Sequence, residues 1–468
     1  MVGRTEEIAE LKAIAEGDRS NLVVVYGRRR IGKTFLVREA FDYSFAFTHT
    51  GMENGSLADQ LRQFRESLVD AGWEDCDVPA TWTEAFALLK KHLANKGDGR
   101  KIVFIDELPW LDTPKSNFLP AFESFWNGWC SARKDIVLIV CGSATSWMVK
   151  KVLHNKGGLF NRASRTINLQ PFSLHDCEEY TKEKGLVMSR REIVEAYMVF
   201  GGVPYYWSLL DRKYSFAQNL DRLYFSSSGE LSSEFRRLFE SAFRKPEPYL
   251  RIVKALAKAK GGMTREDLSQ AANVPNTGNM TLWLSDLEQS GFIRTFLPFG
   301  KKKRGMTYQL VDAFAIFHLR FSSSANSSGA GFWAMSTDLP ERRTWEGLAF
   351  ERVCFAHISQ IKTALGISGV LTSISAWRSA KKQGGAQIDM LISRRDGVVN
   401  VCEMKFSSAP FAISYDYSKR LANKIAVFKE ETETSSAVHL TLVTVNGIKR
   451  NEYASCVQSV VTSDDLFR

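Results

Sequence analysis

A short glycine-rich stretch near the N-terminus constrains this chain more than any other feature. Between residues 27 and 34 the sequence reads G-R-R-R-I-G-K-T, which has the spacing G-x-x-x-x-G-K-T. The preceding residues, 22–26, are mostly β-branched and apolar, and the following residues, 35–40, favour a helix. Strand, glycine loop and helix in that order are the context in which this spacing forms a phosphate-binding loop, or P-loop. The sequence therefore predicts a nucleotide site on an α/β sheet.

The loop predicts a role for its residues. Its glycines let successive backbone N–H groups turn toward phosphate oxygens without a Cβ in the way, and the helix N-terminus adds partial positive charge. We expect Lys33 to reach the β- and γ-phosphates of ATP and the Thr34 hydroxyl to ligate Mg²⁺. An ordinary glycine turn is the alternative, which the strand and the Lys-Thr pair disfavour. The predicted nucleotide-binding residues are Gly27, Arg28, Arg29, Arg30, Ile31, Gly32, Lys33 and Thr34.

A P-loop predicts a second, acidic site on a neighbouring strand, and residues 101–107 supply it. There an apolar run ends in Asp106 and Glu107, the Walker B pattern. We expect Asp106 to hold Mg²⁺ through water, and Glu107 to orient or deprotonate the attacking water. A buried strand that emerges into a polar turn would give a similar pattern, but the P-loop makes that alternative weaker.

Two further candidates follow. A third apolar run, 135–141, leads to Ser143, which is either a sensor of the γ-phosphate and attacking water or a turn residue or N-cap. Arg162 is a candidate, by position only, for neutralising transition-state charge, and a solvated loop arginine is the alternative. Three apolar strands alternating with helices predict a parallel sheet with crossover connections. Gly-Gly-Val-Pro, ending at Pro204, predicts a tight turn between helices.

These motifs together resemble a known family. Gly3-Arg4 ahead of the P-loop, the Asp106-Glu107 box, Gly142-Ser143 and the Gly-Gly-Val-Pro turn are similar to those of archaeal-type P-loop ATPases near the AAA+ and signal-transducing (STAND) groups. The resemblance covers the N-terminal half of the chain. It implies that the turn containing Pro204 lies in a helical lid near the adenine, and that Gly3-Arg4 lies by the base.

The pattern changes between residues 246 and 321. Three helices followed by a hairpin with a basic tip, Lys301-Lys302-Lys303-Arg304, predict a winged helix. Its long helix could enter a major groove of DNA while the wing contacts the backbone. Asp286 and Glu288 make that helix less basic, so a role as a spacer or protein dock stays open. Residues 322–331, rich in Ser, Gly and Ala, predict a hinge or surface loop. The predicted helices are 249–259, 265–271 and 276–290, and the predicted strands are 291–296 and 307–310.

The last stretch contains a second chemical pattern. A helix over 343–362 precedes a strand that carries Asp389 and another that ends in Glu403 and Lys405. An Asp on one strand and Glu-x-Lys on the next resemble the PD-(D/E)XK nuclease-like superfamily, although Ile stands where the name has Pro. The resemblance implies that Asp389 and Glu403 bind a divalent metal and that Lys405 positions or activates water. It also implies an acidic residue on the preceding helix, Glu351 or Glu346, as a metal support. Incidental charges at the strand ends of a mixed sheet are the alternative.

Composition narrows the class of protein. With 468 residues, 44% hydrophobic and 24% charged, the chain is an ordinary globular protein long enough for several cores. Its net charge of +10 favours an anionic partner such as DNA. Seven scattered cysteines without C-x-x-C favour reduced thiols in a cytosol. The polar N-terminus and the lack of a long apolar run argue against a signal peptide and a membrane span.

We therefore predict an α/β multidomain protein with a P-loop NTPase parallel sheet (1–170), a helical lid (171–245), a winged helix (246–321) and a C-terminal α/β restriction-endonuclease-like domain (332–468). The order resembles bacterial proteins, described only as ATP-binding, in which an archaeal-type ATPase carries such a tail. The predicted function is a cytoplasmic ATPase that uses ATP and Mg²⁺, engages DNA and carries a Mg²⁺-dependent nuclease tail. The alternative is a nucleotide-operated switch whose tail only docks DNA or a protein. A metabolic kinase is disfavoured, and homo-oligomerisation is left open.

Overall fold

The computed structural model describes residues 1–73, 77–154, 158–159, 161–259, 261–300, 305–328, 331–381 and 385–468. These residues form two compact units, the first made of Met1–Gln170 and Leu238–Pro246 and the second of Pro171–Arg237 and Glu247–Arg468. The division into four domains stays a prediction. No helix in the described ranges is both long and apolar enough to cross a membrane.

The first unit is built on a five-stranded parallel sheet. Its strands are β1 (Asn21–Tyr26), β2 (Phe47–Thr50), β3 (Lys101–Asp106), β4 (Ile136–Gly142) and β5 (Arg165–Asn168). Its helices include α1 (Thr5–Glu16), α2 (Lys33–Ala40), α3 (Leu57–Asp70), α4 (Trp82–Asn95), α5 (Leu108–Leu111), α6 (Phe118–Gly128) and α7 (Thr145–Trp147). The strand order β2-β3-β4-β1-β5 inserts β4 between the P-loop strand and the Walker B strand. This confirms the predicted parallel sheet.

Helices cover both faces of this sheet because successive side chains of a strand point to opposite faces. On β1, Val23 and Val25 pack into a layer with α1 and α2. Leu22 and Val24 pack into the opposite layer with α3, α4 and α6. All four side chains are fully buried, as expected for a parallel sheet with helices on both faces. Because β1, β3 and β4 are parallel neighbours, their C-terminal ends lie at the same edge of the sheet.

The second unit begins with helices and continues into a small antiparallel sheet. Its first elements are α8 (Leu174–Glu183), α9 (Arg190–Phe200), α10 (Pro204–Ser208) and α11 (Phe216–Leu220). Helix α12 (Glu234–Ala242) has residues in both units. The next elements are α13 (Glu247–Ala257), β6 (Met263–Thr264), α14 (Arg265–Ala271), α15 (Gly278–Gln289), β7 (Ile293–Phe296) and β8 (Thr307–Leu310). The strands pair antiparallel in the order β6-β8-β7. The predicted basic tip, residues 301–304, lies outside the described residues.

A five-stranded mixed sheet forms the C-terminal part of the second unit. The elements are α16 (Ala313–Ser328), α17 (Phe332–Met335), α18 (Pro340–Ala356), α19 (Ile358–Ala364), β9 (Thr372–Arg378), β10 (Gln387–Arg394), β11 (Val398–Lys405), α20 (Tyr415–Thr432), β12 (Ala437–Thr444), β13 (Ser459–Thr462) and α21 (Ser463–Leu466). The strand order is β13-β12-β11-β10-β9. β9, β10 and β11 form an antiparallel meander, and β12 joins β11 in parallel after α20. Leu421 and Phe428 of α20 pack on Leu391 and Val401 of the sheet.

Two sequence predictions about this part are wrong. The predicted loop at 322–331 is helical as far as Ser328, because Phe314, Phe317 and Phe321 give α16 a buried face from which the helix continues. The predicted single helix over 343–362 is divided between α18 and α19 at His357. The ring of His357 donates through Nδ1 to the Val353 carbonyl at 2.8 Å and accepts the Leu174 N–H through Nε2 at 3.0 Å. This tertiary contact holds the break.

Candidate functional site

The P-loop conformation requires glycine at two positions. Gly27 and Gly32 have φ angles of +147° and +90°, which side chains other than glycine rarely adopt. A Cβ on Gly27 would also lie 2.6 Å from the carbonyl oxygen of Leu169. Gly32 is the N-cap of α2, so the backbone N–H groups of the loop lie next to the positive N-terminal end of that helix. The backbone therefore has the form that a phosphate-binding loop needs.

Lys33 and Thr34 are the first residues of α2, and their side chains contact the P-loop and the Walker B strand respectively. The Lys33 side chain is buried, and its Nζ donates to the carbonyl oxygens of Gly27 and Arg28, each at 3.0 Å. Burial lowers the pKa of this ammonium. The Thr34 hydroxyl donates to Asp106 Oδ2 at 2.6 Å. The loop thus places a cation and a hydroxyl beside the Walker B strand.

The two Walker B carboxylates have different surroundings. Burial raises the pKa of Asp106, and the charge of Glu107 adds to the shift. Glu107 has a φ of +48°, a conformation that a non-glycine residue adopts at some energetic cost. Its Oε2 accepts hydrogen bonds from the Ser143 backbone N–H at 3.0 Å and from the Ser143 hydroxyl at 2.8 Å. Ser143, buried at the end of β4, does not cap α7, whose N-cap is Ala144.

The oxygen atoms at this position fit Mg²⁺. Thr34 and Asp106 offer a hydroxyl and a carboxylate that are already within hydrogen-bond distance of each other, and Mg²⁺ prefers such ligands together with water and phosphate oxygens. Across the described part of the chain, no group of three or more His, Cys, Asp or Glu side chains is arranged to hold a metal. A site that takes most of its ligands from nucleotide and water, as here, needs no such group.

The remaining loop residues surround this core. Arg29 forms an ion pair with Glu53 at 3.7 Å. Arg30 has a φ of +68°, and Ile31 is buried in the core layer with α1 and α2. The side chains of Arg29 and Ile31 therefore contact residues outside the loop, while the Arg28 carbonyl accepts a hydrogen bond from Lys33.

Three other candidates lie apart from the P-loop contacts. Arg162 is exposed between the end of α7 and β5, and it stays a prediction. Arg4 is buried, and it donates to the Gln170 carbonyl at 2.7 Å, so it connects the start of the segment Met1–Gln170 to its last residue. Pro204 is at the first position of α10 in the second unit, directly after the predicted Gly-Gly-Val turn.

The strand register brings the tail carboxylates of β10 and β11 together. The ladder ends with Met390 opposite Cys402, and Asp389 and Glu403 are the next residues beyond that pair on the two strands. The pairing of β10 with β9 is irregular between Ile388 and Leu391, so the strand is distorted where Asp389 lies. Gln387 Nε2 donates to Asp389 Oδ1 at 2.7 Å.

Glu403 is held by three donors. Lys405 Nζ lies 3.0 Å from its Oε1, the Tyr417 hydroxyl donates to the same oxygen at 2.8 Å, and Lys424 Nζ lies 2.6 Å from its Oε2. Burial alone would raise the pKa of Glu403, but the charges of Lys405 and Lys424 outweigh burial and lower it. The Glu-x-Lys pair is therefore preformed, with a second lysine that the sequence pattern did not indicate.

Glu351, rather than Glu346, faces the strand carboxylates. Burial raises the pKa of Glu351 to about 8, and the negative charges of Asp389 and Glu403 add to this shift. Glu346 instead forms an ion pair with Arg342 at 2.9 Å. The geometry thus separates the two alternatives on α18. Repulsion among Glu351, Asp389 and Glu403 would be relieved by a divalent cation, although Glu403 is partly neutralised by its lysines.

Beside these groups lies a cavity of about 590 Å³, which we call the tail cavity. Glu351 and Asp389 face it from α18 and β10, and Lys419, Arg420 and Lys424 face it from α20. Sequence reasoning missed these three cations because it did not predict α20. The spacing of the apolar residues at 421, 425 and 428 is typical of a helix and could have indicated it.

Comparison with known proteins adds to this description. The chain is 25% identical over 400 residues to an uncharacterized protein of Methanocaldococcus jannaschii, with 83% of each chain covered. Similar solved structures include a Walker-type ATPase of Pyrococcus abyssi, with a TM-score of 0.49 and 17% identity over 68% of this chain and 96% of the other. Another is the ORC2 protein of Aeropyrum pernix in ADPNP-ADP complexes, with a TM-score of 0.42 and 14% identity over 69% and 94%.

The family match is confined to the N-terminal part of the chain. Residues 1–210 match a family described as an ATPase domain predominantly from Archaea. The P-loop, the Walker B carboxylates and the inserted strand β4 all lie within this range. Residues 1–210 therefore contain an archaeal-type ATPase domain.

Proposed function

We propose that this protein hydrolyses ATP in its first unit and acts on nucleic acid through a Mg²⁺-dependent nuclease site in its second unit. The observation that carries the second part is the assembly of Glu351, Asp389, Glu403 and Lys405 beside a cavity lined by cations. Carboxylates for a metal and cations for a phosphodiester are the groups that such cleavage requires.

In the ATPase site each residue has a separate task. The ammonium of Lys33 donates hydrogen bonds to two carbonyl oxygens of the loop, and phosphate oxygens would replace these as its partners when nucleotide binds. Thr34 and Asp106 would hold Mg²⁺, which would supply positive charge to neutralise the charge that develops on the phosphates. Glu107 would accept a proton from the attacking water or orient it, after exchanging its hydrogen bonds with Ser143 for one with that water. Ser143 is thereby a candidate sensor.

In the tail, Asp389 and Glu403 would hold the metal together with water and phosphate oxygens, with Glu351 as a supporting carboxylate, and the metal would supply Lewis-acid activation of the phosphodiester. Lys405, whose Nζ is 3.0 Å from Glu403, would orient the attacking water and stabilise negative charge on the phosphate. Release of Glu403 by Lys424 would free one of its oxygens for the metal. The order α18, β9, β10, β11, α20 and β12, with β12 parallel to β11, supports the nuclease-like domain.

The elements between α13 and β8 support a winged helix that contacts DNA. Helices α13, α14 and α15 precede the β7–β8 hairpin, and β6 adds a third strand. Asp286 of α15 is buried and accepts from the Tyr249 hydroxyl at 2.8 Å, so this charge does not oppose a DNA backbone from the surface. Alanine at all four basic tip positions, 301–304, should flatten the salt dependence of DNA affinity. An unchanged slope would assign the module another role.

A second candidate function is favoured by two particular contacts. The carboxylate of Glu107 already accepts hydrogen bonds from Ser143. The carboxylate of Glu403 is already paired with Lys405, Lys424 and Tyr417. In a nucleotide-operated switch, ATP binding would change the first contact, while the tail would dock DNA or a protein without cleaving it.

The test is a plasmid-cleavage assay with Mg²⁺ or Mn²⁺, with and without ATP. We expect nicked or linear product from the wild-type protein and from Asp338→Asn, which changes an exposed carboxylate in the same unit. Asp389→Asn should give no metal-dependent product. If the wild-type protein converts no DNA or RNA substrate under any of these conditions, the switch replaces the nuclease as the preferred function.

A further inference from the structure

A pair of tyrosines, Tyr415 exposed and Tyr453 half-buried, lies at the start of α20. Tyr415, the first residue of this helix, is 53% exposed, and its ring centroid lies 5.8 Å from that of Tyr453. The proposed tail mechanism uses neither residue.

Lys419 links this surface to the tail cavity. Its Nζ lies 4.2 Å from the centroid of the Tyr415 ring, and it also lines the tail cavity. Arg420 and Lys424 continue the basic face of α20 toward Asp389. An aromatic ring and a row of cations therefore lead along one helix to the proposed metal ligands.

A second basic segment borders the tyrosines. Lys449 and Arg450 are exposed in the loop that precedes Tyr453. This loop is fixed to the segment before α20, because Lys449 N donates to the Phe411 carbonyl at 2.9 Å and Asn451 Nδ2 donates to the Ile413 carbonyl at 2.8 Å. These hydrogen bonds hold the loop that leads to Tyr453 against the segment that leads to Tyr415.

We infer that this surface, which we call the tyrosine platform (Tyr415 and Tyr453), binds an unpaired base of a single-stranded nucleic acid whose backbone follows α20 into the tail cavity. Stacking on aromatic rings beside a basic groove is the general mode of single-strand binding. In a duplex the faces of the bases are covered by their neighbours, so an exposed ring can stack only on a base that is unpaired or splayed out. The inference names the substrate class of the proposed nuclease site and rests on that proposal.

The test measures binding by the full-length protein, using fluorescence anisotropy with oligo-dT and with a duplex, in EDTA so that no cleavage occurs. Tyr415→Ala should weaken oligo-dT binding about 10-fold, within the usual effect of losing one stacking ring, and leave duplex binding unchanged. Tyr415→Phe should bind oligo-dT like the wild-type protein, because a phenyl ring still stacks. Tyr214→Ala is the matched control, since Tyr214 is 47% exposed and has Arg222 near its ring, yet lies on a different element.

The cations give an independent measurement. Lys419→Ala should reduce the slope of log affinity against log salt for oligo-dT by about 0.7, the value for one phosphate contact on a single strand. Equal effects of Tyr415→Ala on oligo-dT and on duplex, or no effect on either, would overturn the inference. A selective loss for oligo-dT without any metal-dependent cleavage would support the platform and reject the nuclease. Metal-dependent cleavage by a protein whose oligo-dT affinity Tyr415→Ala does not alter would support the nuclease and reject the platform.

Discussion

At the scale of single residues, the ATPase site is organised by two hydrogen-bonded pairs. Thr34 with Asp106 collects the oxygens suited to Mg²⁺, and Glu107 with Ser143 holds the candidate water-activating carboxylate. The pairs are linked because Asp106 accepts the backbone N–H of Glu107 at 2.9 Å. A change in the Thr34–Asp106 pair should therefore affect mainly nucleotide affinity, and a change in the Glu107–Ser143 pair mainly the rate of hydrolysis.

Glu107→Gln tests this separation. The variant keeps Thr34 and Asp106, so we expect ATP affinity close to that of the wild-type protein. Because the amide cannot accept a proton from water, turnover should fall by about 10² to 10⁴. Isothermal titration and a phosphate-release assay measure the two quantities. Loss of ATP binding would instead mean that Glu107 has a structural or metal-binding role.

A second residue-scale prediction concerns acid stability. His49 on β2 is buried, with Nδ1 2.9 Å from Ser67 Oγ, and burial lowers its pKa from 6.5 to about 3. Between these values the unfolded chain binds more protons than the folded chain, so the stability from neutral His49 is complete above pH 6.5 and is lost as pH falls. By pH 5 the loss should reach about 2 kcal/mol.

Calorimetric melting from pH 7 to pH 5 checks this prediction. His49→Gln, which does not titrate there, should lose less Tm than the wild-type protein over that range. His154→Gln is the control, because His154 is exposed in the same unit. Parallel curves for all three proteins would show that His49 does not control this pH dependence.

At the scale of elements, turns decide which helices and strands can meet. The turn between α9 and α10 brings Gly202 against the segment before α8, where its carbonyl accepts the Phe172 N–H at 2.7 Å. A Cβ on Gly202 would overlap the Phe172 carbonyl oxygen. This close approach explains the need for glycine in the Gly-Gly-Val-Pro sequence, independently of any role near adenine.

Gly202→Ala should therefore destabilise the second unit by about 2–4 kcal/mol. Gly347→Ala is the matched control, because Gly347 lies in α18 and a Cβ there would meet no atom within 4 Å. Its replacement should be neutral or gain up to about 1 kcal/mol through helix propensity. Urea unfolding followed by circular dichroism gives both values, and equal midpoints would contradict the steric argument.

At the scale of the whole molecule, the question is how far the two chemical sites depend on each other. Lys33→Ala should abolish ATP turnover, since it removes the cation that faces the phosphates. Asp389→Asn should abolish metal-dependent cleavage and leave ATP turnover within about twofold of wild type, because the two sites lie in different compact units and share no residues. ATPase and plasmid assays on both variants measure this, with Asp338→Asn as control.

The Lys33→Ala protein then separates the two functional hypotheses. Cleavage that is lost in Lys33→Ala would mean that ATP drives the tail. Cleavage that persists would mean two independent activities on one chain. ATP turnover at the wild-type rate in Lys33→Ala would show that the P-loop assignment is wrong.

The sequence by itself determined the features that depend on neighbouring residues. The glycine spacing and its flanking strand and helix placed the P-loop, and an apolar run ending in two acids placed the end of β3. The predicted helix over residues 265–271 agrees with α14 to the residue. These signals are local, because strand and helix periods and glycine's backbone freedom act within a few residues.

Only the tertiary structure decided which distant residues meet. Glu346 and Glu351 are five positions apart on α18, which turns them to different sides of the helix, and the packing of α18 selects Glu351. Ser143 and Glu107 meet because β4 lies beside β3, and Lys424 reaches Glu403 because α20 packs on the mixed sheet. Such pairings are set by how buried faces fit together, and that fit is not encoded in the spacing of either partner along the chain.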